Sequence, residues 1–461
     1  MSSKNCFISN FYLTELYEKV AIELKKKDCE IFWICPNKST YEHLSKKWGS
    51  DNVLYIGMSS VVESSLNAPY YSDEINDIIS NDILIRDRIL KYRSSQGARY
   101  LQKLKYVAFD FLTLNNIESV FGELTWSHEV LINRICLQVT ECKTTYYNPH
   151  SLRIPQQTFG FFLDEFQSNL SQHKTSEGIT DEMRTRYFTT IVDEDNELPP
   201  PDYLKLNDQI IKKANSFTSQ IEKLYKLFFK PVDQQDPTLE TSTIKRLIDG
   251  GFKFFKAKVY KLVKKHNLDD IKEKKYFLYP LHKQPEASVD VIGKYYDDQL
   301  LNIRNIASQL KDDEFLIVKE HSNAIGDRNY SFYNSLANYP RVLLVDDAVS
   351  IKVLIKNSLG VFTVSGTAAF EASLMGVNSF CFSNVYFRKL ASCNVISLEN
   401  FNRGTLIIDQ EESQLTKQEF VDDMLKSACN GIISNPKSDI RCIHSENISN
   451  LAQEFYAVIK Q

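Results

Sequence analysis

The stretch Phe362–Gly376, FTVSGTAAFEASLMG, decides the fold. An apolar run ends at Ser365-Gly366-Thr367, and a helix-forming run follows at once. Strand, tight turn and helix in that order form the repeating unit of an open parallel sheet, where ligands bind beyond the strand ends. At the turn, backbone N–H groups point outward and the helix dipole favours an anion. Thr367 is placed to cap the helix. Glu371, four residues on, lies on the same face one turn deeper, where a carboxylate can take a ribose diol. The plain alternative is a capped helix with its glutamate in solvent, but Ala368, Ala369, Phe370 and Ala372 speak for a largely buried helix.

Two neighbouring stretches repeat this grammar. In FLIVKEHSNAIGDR the apolar strand ends at Lys319, which places Glu320 and His321 in the following loop. A histidine there can donate to a phosphate oxygen, with charge added by Lys319 or Arg328. The competing reading is a surface loop with an incidental histidine. In YPLHKQPEASVD, His282, Gln284 and Glu286 occupy alternate positions around Pro285. Glu286 suits a base or nucleophile, and His282 and Gln284 suit the orientation of sugar hydroxyls. Otherwise this is a polar loop capped by Ser288.

Working outward, residues 1–150 alternate apolar strands (CEIFWICP, NVLYIG, IESVFGE, TTYYNP) with amphipathic helices and form one Rossmann-like domain, expected on the acceptor side. There SVFGELTWSHE ends a strand with Gly122 and Glu123, and Thr125, Trp126 and His128 follow. Glu123 suits activation of an acceptor hydroxyl with His128 nearby, unless Thr125 or Ser127 caps a helix that Glu123 supports. Residues 151–274 lose the rhythm and read as a helical insertion or linker, with helices near Asn207–Phe229 and Thr243–His266. Arg153, in SLRIPQQTFGFF, can hold a sugar carboxylate bidentately or serve the structure. Residues 275–430 read as a second Rossmann-like domain, and 431–461 as a helix packing back on either domain.

A chain of 461 residues suits two domains. Its apolar share of 43% and charged share of 25% mark a globular protein. A net charge of −4 argues against a general nucleic-acid partner. The nine cysteines are scattered without a CxxC pair, which argues against a zinc site or a thioredoxin-like motif and suits a reducing, cytoplasmic compartment. Neither a signal peptide nor a membrane span is expected. In residues 244–275 eleven Lys/Arg face four Asp/Glu, interleaved with Phe252, Phe254, Phe255, Val259, Leu262 and Val263. One face of that run can rest on an anionic membrane, or the run is a solvated helix over a core. No GxGxxG, P-loop or GxSxG motif occurs, and the pairs Asp297–Asp298 and Asp346–Asp347 lack the spacing of a DxD metal site.

YPLHKQPEAS, VKEHSNAIGDR and VSGTAAFEASLMG, in this order and at these distances, resemble the capsule- and surface-polysaccharide glycosyltransferases that use CMP-activated acidic sugars, above all the bacterial β-Kdo transferases. The resemblance covers roughly residues 275–385 and thins at GELTWSHE and LRIPQQTFGFF. It implies the GT-B fold: α/β, two Rossmann-like domains facing a cleft, with a helical insertion between them. His321 matches the histidine of the family's HP motif on the donor phosphate, although Ser322 replaces the proline. Ser365 and Thr367 match the hydroxyl turn at that phosphate, Gly366 lies between them, and Glu371 matches the ribose- or nucleotide-side carboxylate. Glu286 falls near an acidic catalytic position that is often aspartate. The implied reaction moves a Kdo-like sugar from a CMP-sugar to a glycan or lipid-linked glycan on the cytoplasmic face of the inner membrane, without metal or other cofactor. The rival readings are a GT-B enzyme using a UDP- or GDP-sugar, a related 2-epimerase, a CDP-glycerol-type polymerase and a non-catalytic nucleotide-binding scaffold.

Overall fold

Strands whose every residue is apolar need cover on both faces, and this chain supplies it twice. The structure, a computed structural model, describes residues 2–10, 12–65, 71–152, 157–174, 179–185, 233–240, 242, 252, 253, 255–397 and 414–461. It divides into one unit of Met1–Glu165, Asn169–Thr243 and Asp423–Gln461, and a second of Phe166–Ser168 and Ile244–Asp422. The helix expected over Asn207–Phe229, and Arg153, lie outside the described residues.

In the first unit, β1 (Lys4–Ile8), β2 (Glu30–Cys35), β3 (Val53–Tyr55), β4 (Ser119–Phe121), β5 (Thr145–Ser151) and β6 (Thr158–Phe162) lie in the order β6-β5-β4-β1-β2-β3. The first five pair in parallel, and β6 runs antiparallel to β5. Register sets Phe7 beside Trp33 on one side and Phe121 on the other. β6 falls in a region read as having lost its strand rhythm. All five of its residues are buried, so it shows no alternation for a periodicity test to catch.

The second unit is the more regular. β7 (Lys275–Pro280), β8 (Glu314–Lys319), β9 (Val342–Val345), β10 (Gly360–Thr363), β11 (Ser379–Cys381) and β12 (Cys393–Val395) form an all-parallel sheet, ordered β12-β11-β10-β7-β8-β9. Successive residues feed opposite faces. Phe277, Tyr279, Leu316, Val318 and Phe362 enter one core, and Tyr276, Leu278, Ile317 and Val361 the other.

β13 (Cys429–Asn430) returns to the first unit and pairs with β6. The C-terminal helix Ser445–Ile459 buries Ile448, Leu451, Ala452, Phe455 and Val458, a single stripe at helical spacing. Its Phe455 ring lies 4.7 Å from Phe121 and 4.9 Å from Phe161, so this helix belongs to the first unit.

Both sheets have Rossmann order, and in each the order reverses beside the first strand: between β1 and β4, and between β7 and β10. Ligands enter open sheets at such switch points, beyond the carboxyl ends of the strands. Each unit by itself is a Rossmann-like domain.

Candidate functional sites at the two switch points

At the β7/β10 switch point three loops are tied together. After β7, the backbone N–H of His282 donates to Gln299 Oε1 at 2.7 Å, and its ring Nε2 lies 2.7 Å from Thr363 Oγ1 at the end of β10. The Val364 N–H also points at Nε2, at 3.3 Å, so Nε2 is the acceptor and the ring proton sits on Nδ1. Thr363 Oγ1 in turn accepts from the Gly366 N–H at 3.0 Å. A Cβ at Gly366 would stand 2.7 Å from that oxygen and 2.9 Å from the imidazole, so only glycine fits. The Ser365 hydroxyl donates to the Ser288 carbonyl at 2.6 Å, and the Ser288 hydroxyl donates to Glu286 Oε2 at 3.2 Å. The Gln284 amide bonds Asp290, the Asp297 carbonyl and Gln299. His282 and Gln284, expected to orient sugar, therefore brace the loops.

Gly366 is the N-cap of the helix Thr367–Leu374 and Thr367 its first residue, so Thr367 is not the cap that the sequence suggested. Among the described residues nothing accepts from the N–H groups of Thr367 or Ala368. These two donors, not the committed Ser365 proton, are what the turn presents to an anion. Glu371 sits one turn deeper and is half-buried, less enclosed than its neighbours implied.

After β8, His321 Nδ1 accepts from the Asn323 N–H at 3.2 Å, which puts the neutral ring's proton on Nε2, the tautomer a phosphate acceptor needs. Lys319 donates to the Asp347 carbonyl at 2.9 Å, and burial pulls its ammonium below the ordinary lysine range against the pull of Asp347 and Asp346. Arg328 is not a free phosphate clamp. Its guanidinium pairs with Glu320 and donates to the His282 carbonyl. Glu320 also accepts from Tyr333 Oη and the His321 N–H, both at 2.7 Å, and burial holds its carboxyl above the usual range despite Arg328.

The β1/β4 switch point is carboxylic. Glu123 Oε2 accepts from Asn10 Nδ2 at 2.9 Å and from Tyr12 Oη, and Tyr146 Oη donates to the Glu123 carbonyl at 3.0 Å. A Cβ at Gly122 would lie 2.5 Å from that phenol oxygen. Glu129, three residues past the N-cap Trp126, turns back so that Oε2 takes the N–H groups of Thr125 and Trp126 at 3.0 Å each. Neither Thr125 nor Ser127 is the cap; Ser127 bonds Asp87 instead. Glu129 Oε1 is buried without a partner, and burial pushes this carboxyl up to about 8. Burial and the charge of Glu129 together hold Glu123 well above the carboxylate range. His128 is buried, driven down to about 3 by that burial, and its Nε2 has no partner.

Residues 241–390, about a third of the chain, match the family described as "Capsule polysaccharide biosynthesis protein". The second unit resembles the capsule-synthesis proteins. No curated protein matches the chain. Among solved structures, the β-Kdo 2,7 transferase of Thermosulfurimonas dismutans KpsC aligns at 10% identity over 98% of this chain and 99% of that one, TM-score 0.40. The β-Kdo 2,4 transferase of the same protein aligns at 12% over 73% and 87%, TM-score 0.36. A UDP-GlcNAc 2-epimerase of Methanocaldococcus jannaschii aligns at 10% over 92% and 99%, TM-score 0.24.

The second unit thus brings His282, Gln284, Glu286, Ser365 and Gly366 into one bonded array, joined to the β8 loop through Arg328. Sequence reasoning missed Thr363, the hub of that array, because a threonine ending a buried strand carries no motif. It named Glu320 only as a loop residue. In the first unit it missed Glu129, whose place three residues past the cap was the available signal.

Proposed function

We propose that the chain is a glycosyltransferase of surface-polysaccharide synthesis that moves a Kdo-like acidic keto-sugar from a CMP-sugar to a glycan or lipid-linked glycan. What supports this reading is a set of anion-binding groups after the two strands that flank β7. Two N–H donors open the helix that follows β10, and His321, with its proton on Nε2, follows β8, all inside the capsule-family match. CMP leaves as a phosphate, so neutralising its charge supplies much of the catalysis asked of this unit. Glu286 attacks the anomeric carbon as that carbon's bond to the phosphate oxygen breaks, and CMP departs with the electron pair. The acceptor oxygen then attacks the same carbon, the bond to Glu286 breaks with its electron pair returning to the carboxylate, and Glu123, in its ionised form, takes the proton of the acceptor hydroxyl. Direct attack by the acceptor, with inversion, gives the same products without the covalent step.

No helix among the described residues is long and apolar enough to cross a membrane. Contact with an anionic leaflet is read into the segment around residues 252–262, where Phe252, Phe255 and Leu262 are 56%, 63% and 82% exposed amid lysines.

The test is thermal stabilisation by CMP, CDP, UMP, UDP and GDP. Stabilisation by CMP that falls roughly 10- to 100-fold in apparent affinity in His321→Ala supports the reading, that being the worth of one charge-assisted bond. Preference for UDP or GDP overturns the CMP donor, and no response to any nucleotide overturns the transferase.

A further inference from the structure

Away from both switch points, three metal-ligating side chains meet inside the first unit. Cys429 Sγ of β13 lies 3.2 Å from His173 Nε2, and Glu454 Oε2 of the C-terminal helix lies 3.4 Å from the same nitrogen. All three atoms fall within 4.8 Å of one another. The side chain of His173 and the whole of Cys429 are 0% exposed.

Hydrogen bonds hold this cluster only loosely: the Cys429 thiol reaches the Ser427 carbonyl at 3.9 Å, the far limit for a sulfur donor, and the imidazole Nε2 is shared between the sulfur and Glu454. It is not a nucleophile–base–orienter relay, in which the two partners take opposite ring nitrogens. A cation placed among the three satisfies all of them. Tetrahedral zinc, with bonds of about 2.0–2.3 Å, sets its ligand atoms about 3.3–3.8 Å apart, close to the two distances seen here.

The surroundings agree. His173 Nδ1 is turned to the Ser171 carbonyl at 3.4 Å, the outer contact by which a ligating imidazole is oriented. Glu454 Oε1 is occupied by Lys174 Nζ at 3.2 Å and the Asn430 N–H at 3.3 Å, which leaves Oε2 to face the imidazole. One thiolate and one carboxylate match a divalent charge, and Lys174, paired with Glu454, adds one positive charge at the edge of the cluster. Sulfur and nitrogen ligands select zinc over magnesium or calcium.

We propose that His173, Cys429 and Glu454 bind one zinc-class divalent cation, which clasps the 169–174 loop, β13 and the C-terminal helix of the first unit. The ligands lie 256 and 281 residues apart from His173 in sequence, so the cation joins segments that no local interaction brings together.

The experiment uses tag-free full-length protein, stripped with a chelator and reloaded with Zn²⁺ alone. Elemental analysis is expected to find about one zinc per chain, and zinc is expected to raise the melting temperature. Cys429→Ser, close in size, is expected to lose both the bound zinc and the zinc-dependent shift. Equal zinc uptake and equal shifts in wild type and Cys429→Ser overturn the proposal. If that variant does not fold, Co²⁺ added to wild-type protein decides the matter. A thiolate-to-cobalt charge-transfer absorption with tetrahedral ligand-field bands supports the site, and their absence overturns it.

Discussion

The two switch points occupy the same place in the same topology and are built from opposite chemistry. Beyond β7 and β10, most buried polar groups are paired: Arg328 answers Glu320, Thr363 answers Gly366 and His282, and Ser365 answers Ser288, with Asp327 Oδ2 left over. What remains there for an anion is a pair of N–H donors. Beyond β1 and β4, Glu129 Oε1, His128 Nε2 and Trp126 Nε1 are buried without partners around a raised carboxyl pair. A paired frame can hold a charged ligand without reorganising, whereas a buried carboxyl pair with raised proton affinity can exchange a proton. Topology says where a ligand goes, and polar satisfaction says what the place does to it.

That contrast breaks most sharply at Glu123. Glu123→Gln is expected to lower sugar transfer by about 10²–10⁴-fold, the usual worth of a positioned acid or base, with CMP affinity unchanged by calorimetry. Near-normal transfer would remove the division of labour. In the paired frame, Arg328→Ala leaves Glu320 buried without its countercharge and should cost about 3–5 kcal/mol of stability in urea unfolding; a loss under about 1 kcal/mol would show that the pair is solvated. Gly366→Ala forces a methyl against Thr363 and His282. It is expected to weaken CMP binding by about 1–3 kcal/mol while Glu123-side chemistry on bound donor persists.

The smallest effect is a matter of sign. Glu129 is raised from 4.5 to about 8, so the stability it contributes is full below pH 4.5 and is lost as pH rises towards 8. His128 is lowered from 6.5 to about 3, so its contribution is full above pH 6.5 and is lost as pH falls towards 3. Between about pH 4.5 and 6.5 the two slopes, each about 1.4 kcal/mol per pH unit, oppose each other. Relative to wild type, Glu129→Gln should tilt stability upward with pH through that window and His128→Gln should tilt it downward. Parallel curves for all three proteins would show that neither group titrates on unfolding.

The second unit was the more legible from sequence because each of its main strands is an apolar run closed by a turn. KYFLYP, EFLIVK and GVFT appear as β7, β8 and β10 with the expected loops at their ends. The bonding partners were not legible. Nothing in HKQPE says that His282 spends Nε2 on Thr363, 81 residues away, because that bond exists only once β7 and β10 are neighbours. Arg328 looked like a phosphate ligand for the same reason, since Glu320 becomes its partner through burial. β6 escaped because full burial erases alternation, and the placement of the C-terminal helix depended on aromatic contacts with Phe121 and Phe161 across nearly the whole chain.

That helix has a consequence for how the protein is made. The first unit opens with β1 and is joined by Asp423–Gln461, while the second unit, apart from Phe166–Ser168, runs from Ile244 to Asp422. On the ribosome most of the second unit can therefore close first. The aromatic face of Phe7, Phe121 and Phe161 must wait uncovered until Asp423–Gln461 emerge, and a premature stop there would release a chain with a finished second unit and an open, aggregation-prone first unit.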